Sequence, residues 1–152
     1  MATMGSDGMP TVSYAPFVQI GSTFYIYTSG LSRHTRDLLE TARISVMFIE
    51  DEANSGNMFA LKRLTFPCHS RVISPQDAAR EGILDLFEST FGAMFTLIRP
   101  LQDFVLFQLD PLEGTYVEGF GKAYRIDAAL LHATHIGGGH TLRRGKDAPA
   151  KT

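Results

Sequence analysis

Two histidines and three consecutive glycines stand together in HIGGGHTLRRG, which runs from His135 to Gly145. Neutral imidazole is a ligand for transition metals, and the group that accepts a hydrogen bond from its second ring nitrogen tunes its electron donation. A triple-glycine run forms neither a helix nor a strand readily, because each glycine loses much backbone freedom on ordering. Two predictions stay open for His140: it lies on a loop that a ligand orders, or on an unstructured terminal segment.

A second candidate lies in FALKRLTF, residues 59–66, whose alternating side chains predict a strand. On that strand Arg63 shares a face with Leu61 and Thr65, so its guanidinium lies among apolar neighbours. Guanidinium pairs bidentately with carboxylates. The residues alone leave two alternatives for Arg63, which are an anchor for an anionic ligand and an ordinary side chain that reaches solvent.

Other reactive side chains give weaker signals. His132, His135 and His140 suggest a three-histidine zinc site, but the sequence contains no HExxH motif and no recognisable activating glutamate. Cys68 stands between a proline and a histidine without an activating motif, which predicts a packed thiol. The GxSxG and GxxxxGK[ST] signatures are absent, so neither a serine hydrolase nor a phosphate loop is indicated.

The elements that must position these residues are mostly strands. Aromatic and β-branched runs predict six strands, at 12–20, 24–29, 44–49, 59–66, 103–109 and 115–126. The segment GST separates the first two as a hairpin, and the turn DPLEG joins the last two as a final hairpin. This pattern predicts a mainly β protein with a closed or partly closed antiparallel barrel, because closure removes exposed edges.

Three helices are predicted between and after these strands. The first begins after a Ser32 cap, with Leu31, His34 and Leu38 on one apolar stripe. SPQD at 74–77 is read as a cap, first-turn proline and acidic residue of a second helix that ends near Gly92. The segment AALLHATH at 128–135 is the third. His34 is therefore expected in packing or at an interface rather than as a ligand.

Composition excludes several classes of protein. The chain has 152 residues and 44% hydrophobic content, which suits one domain. Its net charge of −2 argues against nucleic acid as the main partner, and its one cysteine excludes a disulfide framework. No apolar run approaches the roughly 20 residues that span a bilayer, and MATMGSDGMP lacks the features of a signal peptide. We expect a cytoplasmic protein without membrane contact.

Several motifs in the same order carry a family resemblance over nearly the whole chain. They are SYAPFV, SRHTRDLLE, MFIEDEA, FALKRLTF, LQDFVLFQL, YVEGFGKAYRI and the final GGH. Together they resemble the bacterial haem-utilisation proteins of the HugZ/HutZ type, which are homodimers of the antiparallel, FMN-binding split β-barrel within the pyridoxamine 5'-phosphate oxidase-like family. Members of this type usually carry a helical segment ahead of the stretch that VSYAPF matches, whereas here MATMGSDGMPT precedes it. The resemblance implies a split-barrel domain over residues 1–136 and a ligand loop with a polar tail over 137–152.

The resemblance also assigns roles to single residues. It implies that His140 is the axial ligand of haem iron, that Asp103 of LQDF hydrogen-bonds this histidine across the dimer, and that Arg63 lies beside the haem. From the residues alone, Asp103 is more simply a turn or strand-start residue. The resemblance places His34 near the dimer contact, where its protonation would make the protein sensitive to pH.

The leading functional hypothesis is haem binding followed by oxidative opening of the porphyrin, with electrons from an external donor. Haem storage or transfer without catalysis would use the same residues. The alternative is an FMN-dependent oxidoreductase, in which Ser29, Arg33, Arg36, Arg63 and Thr65 converge on the flavin phosphate. A non-enzymatic dimer with a vestigial pocket is the third hypothesis.

Overall fold

Short β-branched and aromatic runs form ten strands in the computed structural model, which describes residues 1–119, 122–128 and 132–136. The strands are β1 (Ala2–Met4), β2 (Pro10–Val12), β3 (Phe17–Ile20), β4 (Thr23–Ser29), β5 (Arg43–Ile49), β6 (Arg63–Val72), β7 (Phe104–Pro111), β8 (Gly114–Gly119), β9 (Lys122–Asp127) and β10 (His132–His135). The helices in these ranges are α1 (Arg33–Thr41), α2 (Arg80–Phe91) and α3 (Ala93–Ile98). None of them is long and apolar enough to cross a membrane. The predicted mainly β, antiparallel architecture with few helices is confirmed.

Strand β6 is the branch point of the sheet. One of its edges pairs with β5 from Arg63 to His69. Its other edge is shared, because β8 pairs with its first residues and β7 with the stretch from Cys68 to Val72. The predicted hairpin across DPLEG is therefore wrong: β7 and β8 follow one another along the same edge of β6, and β8 forms its hairpin with β9.

The first core lies between β4, β5, β6 and β7. Its buried side chains are apolar and come from alternate positions of each strand, as a two-residue period requires; they include Phe24, Ile26, Ile44, Val46, Phe66, Phe107 and Leu109. Strand β3 reaches this core through aromatic rings, since Phe17 lies 5.1 Å from Phe48 of β5 between ring centroids. The ladders of the described strands leave β3 bonded to β4 alone, so rings rather than hydrogen bonds join β3 to β5.

A second core packs α2 and α3 against β4 and β7. Phe87 stacks on Phe95 with ring centroids 5.1 Å apart, and Tyr27 of β4 lies 5.4 Å from Phe95. Gly92 joins the two helices with φ of 63°, a left-handed conformation that favours glycine. The prediction that α2 ends near Gly92 is confirmed, whereas α3 was not predicted from the sequence.

Two predicted starts of elements are wrong for local reasons. Asp77 accepts a hydrogen bond from the Ala79 N–H at 2.9 Å and so closes a separate turn, and α2 begins only at Arg80. Met58–Ala60 form a 3-10 turn capped by Asn57, whose side chain accepts from the Phe59 N–H. The alternating face of β6 therefore begins at Arg63, and Phe59 and Leu61 are not on the strand.

The chain ends of the described region also differ from the predictions. MATMGSDGMPT forms the pair β1 and β2, and β1 also extends the sheet beside β5. The predicted helix at 128–135 is wrong, because its residues from His132 to His135 pair antiparallel with β9. The helix-forming composition of AALLHATH is overridden where the open edge of β9 offers partners for backbone N–H and C=O groups.

Candidate functional site

An apolar cleft of about 400 Å³ lies where β4, α1 and the two packed helices meet. Aromatic and aliphatic side chains form most of its wall, among them Tyr27, Phe87, Phe91, Met94, Phe95 and Phe104. Ser29, Ser32 and His34 supply its polar groups. Strand β4 ends at Ser29 and α1 begins at Arg33, and the short connection between them contributes Ser32 to the wall of the cleft.

The carboxylate of Asp103 adjoins this cleft and is held by the end of β4. The Ser29 hydroxyl donates a hydrogen bond to Asp103 Oδ2 at 2.7 Å, and the Gly30 N–H donates to the Asp103 carbonyl oxygen at 2.6 Å. A Cβ at Gly30 would stand 3.0 Å from that same carbonyl oxygen, so the close approach favours glycine. We call Ser29, Gly30 and Asp103 the acid end of the molecule.

His34 is the second residue of α1 and lines the cleft with its half-buried side chain. Burial lowers the pKa of His34 below its ordinary value of 6.5, and the nearby Asp37 carboxylate opposes this shift. Asp37 itself is buried and accepts a hydrogen bond from the Thr3 hydroxyl at 2.7 Å. The folded chain therefore favours neutral His34, and protonation of this side chain works against folding.

A different arrangement surrounds Arg63, at the start of β6. Arg63 pairs across the ladders with Ile49 of β5 and Val117 of β8, and Thr65 pairs with Met47 and with Thr115 of β8. These directly opposed residues share one outward face of the sheet. We call the face formed by Met47, Ile49, Arg63, Thr65 and Val117 the cation end.

The cation end is open and apolar around one charge. Met47 and Ile49 are 52% and 53% exposed, and Phe59 of the adjoining 3-10 turn is 87% exposed. The Arg63 guanidinium donates to the Leu61 carbonyl oxygen at 3.3 Å and, within the described part of the chain, pairs with no carboxylate. An uncompensated guanidinium among exposed apolar side chains suits a flat, apolar ligand that carries carboxylates.

The cation end lies at the start of β6, and the acid end lies beyond the other end of this strand. Val72 is nine residues from Arg63 along this strand and pairs with Phe107 of β7. At about 3.3 Å per residue, those nine residues span about 30 Å of strand. Asp103 precedes β7 and is displaced further in the same direction, away from Arg63. One chain therefore does not bring Arg63 and Asp103 together.

Two of the residues predicted for a flavin phosphate lie elsewhere, on the outer face of α1. Arg33 and Arg36 line a small polar groove with Asp7, Asp37 and Glu40. Arg33 forms an ion pair with Asp7 at 3.0 Å and approaches Asp37 at 3.9 Å. Three carboxylates thus surround the two guanidinium groups, and the groove has no surplus of positive charge for a phosphate.

Within one chain, the five flavin candidates fall into three places. Ser29 is in the acid end, Arg33 and Arg36 are in the polar groove, and Arg63 and Thr65 are in the cation end. The haem candidates are also divided, since His34 and Asp103 lie around the cleft and Arg63 lies in the cation end. His140 lies outside the described residues.

The remaining histidines and the cysteine show no reactive arrangement. His132 and His135 are exposed on β10, and their spacing of three puts them on opposite faces of a strand. Across residues 1–119, 122–128 and 132–136, no group of three potential metal ligands occurs. Cys68 is buried as predicted, and burial raises the pKa of its thiol to about 12. The thiol is therefore protonated and unreactive near neutral pH.

Comparison with known proteins identifies the family of this chain. Residues 1–118 match the family model described as pyridoxamine 5'-phosphate oxidase. The chain belongs to the pyridoxamine 5'-phosphate oxidase family. Within this family it is 36% identical to the protein of Vibrio cholerae serotype O1 named heme oxygenase HutZ, over 141 residues that make up 92% of this chain and 80% of the relative.

Solved structures of the pyridoxamine 5'-phosphate oxidase type have the same fold. The crystal structure of Vibrio cholerae HutZ, described as a heme storage protein, superposes with a TM-score of 0.73 at 38% identity and covers 79% of this chain and 84% of that one. Campylobacter jejuni ChuZ gives a TM-score of 0.79 at 33% identity, over 90% of this chain and 55% of its own. The resemblance that the motifs predicted is confirmed.

The contact between Ser29 and Asp103 is the feature of this family member that sequence analysis missed. The two residues are 74 positions apart, and they meet because Ser29 pairs with Phe104 in the ladder of β4 and β7. The residues at the end of β4 and those just before β7 carry no local signal that predicts this pairing. The sequence instead led to the prediction of Ser29 at a flavin phosphate and of Asp103 at haem.

Proposed function

We propose that this member of the pyridoxamine 5'-phosphate oxidase family binds haem between two copies of the chain and opens the porphyrin oxidatively, so that iron is released. The match to the protein named heme oxygenase HutZ, at 36% identity over 92% of this chain, carries the proposal. Haem is the substrate, and its opening consumes dioxygen and electrons from an external donor.

The chemistry of the cation end fits haem. A porphyrin is flat and apolar and carries two propionates, so it needs an apolar wall and a cation. Met47, Ile49 and Phe59 offer exposed apolar surface, and Arg63 offers a guanidinium without a carboxylate partner among the described residues. A bidentate ion pair between Arg63 and a propionate would satisfy both groups.

The proposed site needs two chains because its parts are separated in one. Arg63 is the first residue of β6 and Asp103 lies beyond its other end, and the exposed apolar face around Arg63 is typical of a surface that another molecule covers. In a symmetric dimer, each site would combine Arg63 of one subunit with Asp103 of the other. Two equivalent sites would form at one interface.

Each residue of the proposed site has a separate task. His140 would hold the iron through a ring nitrogen, and Asp103 of the opposite subunit would accept the hydrogen bond from its other ring N–H. This acceptor would fix the orientation of the imidazole and increase its electron donation. The apolar side chains would restrict water, and Arg63 would orient the porphyrin. Bound haem supplies the iron at which dioxygen is activated.

The experiment is a titration with haemin followed in the Soret region. We expect the wild type to saturate at about one haem per protomer, as a symmetric dimer with two sites requires, and His140→Ala to lose the spectrum of an axial histidine. His132→Ala is the matched control, because His132 is exposed on β10 and should leave the titration unchanged. Identical titrations of wild type and His140→Ala would contradict the proposed ligation.

Addition of ascorbate in air separates an oxygenase from a storage protein. Loss of the Soret band with release of chelatable iron supports oxidative opening. A stable Soret band supports storage, the role by which the solved HutZ structure is described. Purification of a yellow protein with a stoichiometric flavin would instead favour the FMN-dependent oxidoreductase.

A further inference from the structure

The carboxylate of Asp103 is exposed, and its side chain would rotate freely without a fixed partner. The structure supplies one: Ser29 donates to Oδ2 at 2.7 Å. The Ser29 hydroxyl is itself fixed, since it accepts a hydrogen bond from the Leu31 N–H at 3.2 Å. A backbone group therefore orients the hydroxyl, and the hydroxyl orients the carboxylate.

We infer that Ser29 is a positioning residue for Asp103, and that it presents Oδ1 of this carboxylate to an imidazole N–H of the opposite subunit. The inference rests on the proposed function, and it gives Ser29 a role in the haem site rather than at a flavin phosphate. Among the described residues Oδ1 of Asp103 makes no hydrogen bond, whereas Oδ2 is occupied by Ser29. The free oxygen is thus available to accept a second donor.

The hydrogen bond from Ser29 affects the orientation of the carboxylate more than the fold. The ladder of β4 and β7 and the Gly30 N–H, which donates to the Asp103 carbonyl oxygen at 2.6 Å, hold the backbone independently of the serine side chain. Removal of the hydroxyl would leave this backbone arrangement in place and free the torsions of the Asp103 side chain. The imidazole would then lose a well-aligned acceptor, and its bond to iron would weaken.

The inference is tested by resonance Raman spectroscopy of the ferrous haem complex, in which the iron–histidine stretching frequency reports the hydrogen bond to the imidazole. We expect Asp103→Asn to lower this frequency and Ser29→Ala to lower it by a substantial part of the same shift. Ser29→Thr keeps the hydroxyl and should have the wild-type stretching frequency. The double variant Ser29→Ala/Asp103→Asn should match Asp103→Asn, because the two residues act through one hydrogen bond.

Thermal unfolding is measured for the apoprotein of each variant. An unchanged midpoint for Ser29→Ala shows that the fold is kept. A Ser29→Ala spectrum identical to wild type, with a clear shift in Asp103→Asn, would overturn the role of Ser29 and leave the proposed function standing. Additive shifts in the double variant would also overturn it. Absence of any histidine-ligated haem in the wild type would remove the proposed function and this inference together.

Discussion

The acid end and the cation end hold their charged groups in different ways. Asp103 is oriented by its own chain, through the Ser29 hydroxyl and the Gly30 N–H. Within the described ranges, the Arg63 guanidinium makes one long contact, to the Leu61 carbonyl oxygen, and exposed apolar side chains lie around it. The carboxylate of the acid end therefore has a fixed hydrogen-bond partner, whereas the guanidinium of the cation end has no carboxylate partner in this part of the chain.

This difference indicates how much fixed geometry each charged group requires. A carboxylate that must accept one hydrogen bond in one direction benefits from fixed geometry. An arginine that pairs with a propionate keeps more freedom, because a bidentate pair forms with whichever anion arrives. The comparison predicts that the acid end tolerates few changes in geometry, and that the cation end depends on charge.

The largest effect is expected from substitution of the two charged groups. If the proposed site is right, Arg63→Gln and Asp103→Asn should each lower the rate of ascorbate-supported haem loss by about tenfold or more, because each removes a charged group that the proposal assigns to haem binding. A heterodimer of one Arg63→Gln subunit and one Asp103→Asn subunit, isolated with two different tags, has one intact site and one doubly substituted site. It should recover about half of the wild-type rate.

Recovery in the heterodimer would show that the acid end of one subunit meets the cation end of the other. Homodimers of each variant, purified with the same tags, are the matched controls. A heterodimer as slow as the homodimers would contradict a shared site and place both charged groups of one site in the same subunit.

The next effect concerns the fold next to the cation end. A Cβ at Gly114, at the start of β8, would overlap the Phe66 ring and lie 2.7 Å from the Thr65 carbonyl oxygen. Gly114→Ala should therefore lower the free energy of unfolding by about 2–3 kcal/mol, the cost of overpacking a rigid core. Unfolding in urea, followed by circular dichroism, measures the change.

The matched glycine variant is in α2, away from the cation end. A Cβ at Gly82 meets no atom within 4 Å, and alanine is the better helix former. Gly82→Ala should raise the free energy of unfolding by about 0.5–1 kcal/mol. Equal effects of the two substitutions would show that the contact at Gly114 does not limit the packing of β8 on β6.

The smallest effect is a dependence of stability on pH at His34. Burial keeps the folded pKa of His34 below 6.5, so the unfolded chain binds the proton more tightly. This residue's contribution to stability is complete above about pH 6.5 and is lost as the pH falls below that value. His34→Leu should flatten this part of the profile of unfolding free energy against pH.

His69 provides the control, because it is an exposed histidine of β6 outside the cleft. His69→Leu removes a histidine that does not line the cleft, and its profile is measured in the same way. An unchanged slope in His34→Leu would show that His34 does not cause the loss of stability in acid. The same two variants, measured for dimer dissociation, test whether the effect extends to the interface.

Local patterns predicted the elements whose signals lie within one segment. The strand predicted at 24–29 is β4, the run at 44–49 is β5, and the helix predicted after Ser32 is α1, although Leu31 of its predicted stripe precedes the helix and is exposed. Alternation and helical periodicity arise from which side of an element faces the core, and both can be counted in the sequence. These predictions are confirmed for that reason.

Pairings between distant strands could not be predicted in this way. The turn-like DPLEG indicates a hairpin, but β6 offers one long edge to both β7 and β8. Likewise, AALLHATH has the composition of a helix, but its last four residues form a strand because they pair with the open edge of β9. The contact of Ser29 with Asp103 depends on the register of β4 and β7. The spacing of residues within either segment does not predict this register.

The position of β6 in the sheet also constrains how the protein is made on the ribosome. Its partner β5 precedes it closely in the chain, whereas the residues that fill its second edge are those of Phe104–Pro111 and Gly114–Gly119. During synthesis, a nascent chain that has emerged only as far as α3 carries β6 with one bare edge of backbone N–H and C=O groups. Emergence of the two later strands covers that edge, so the sheet is completed late in translation and the growing chain is most open to mispairing just before then.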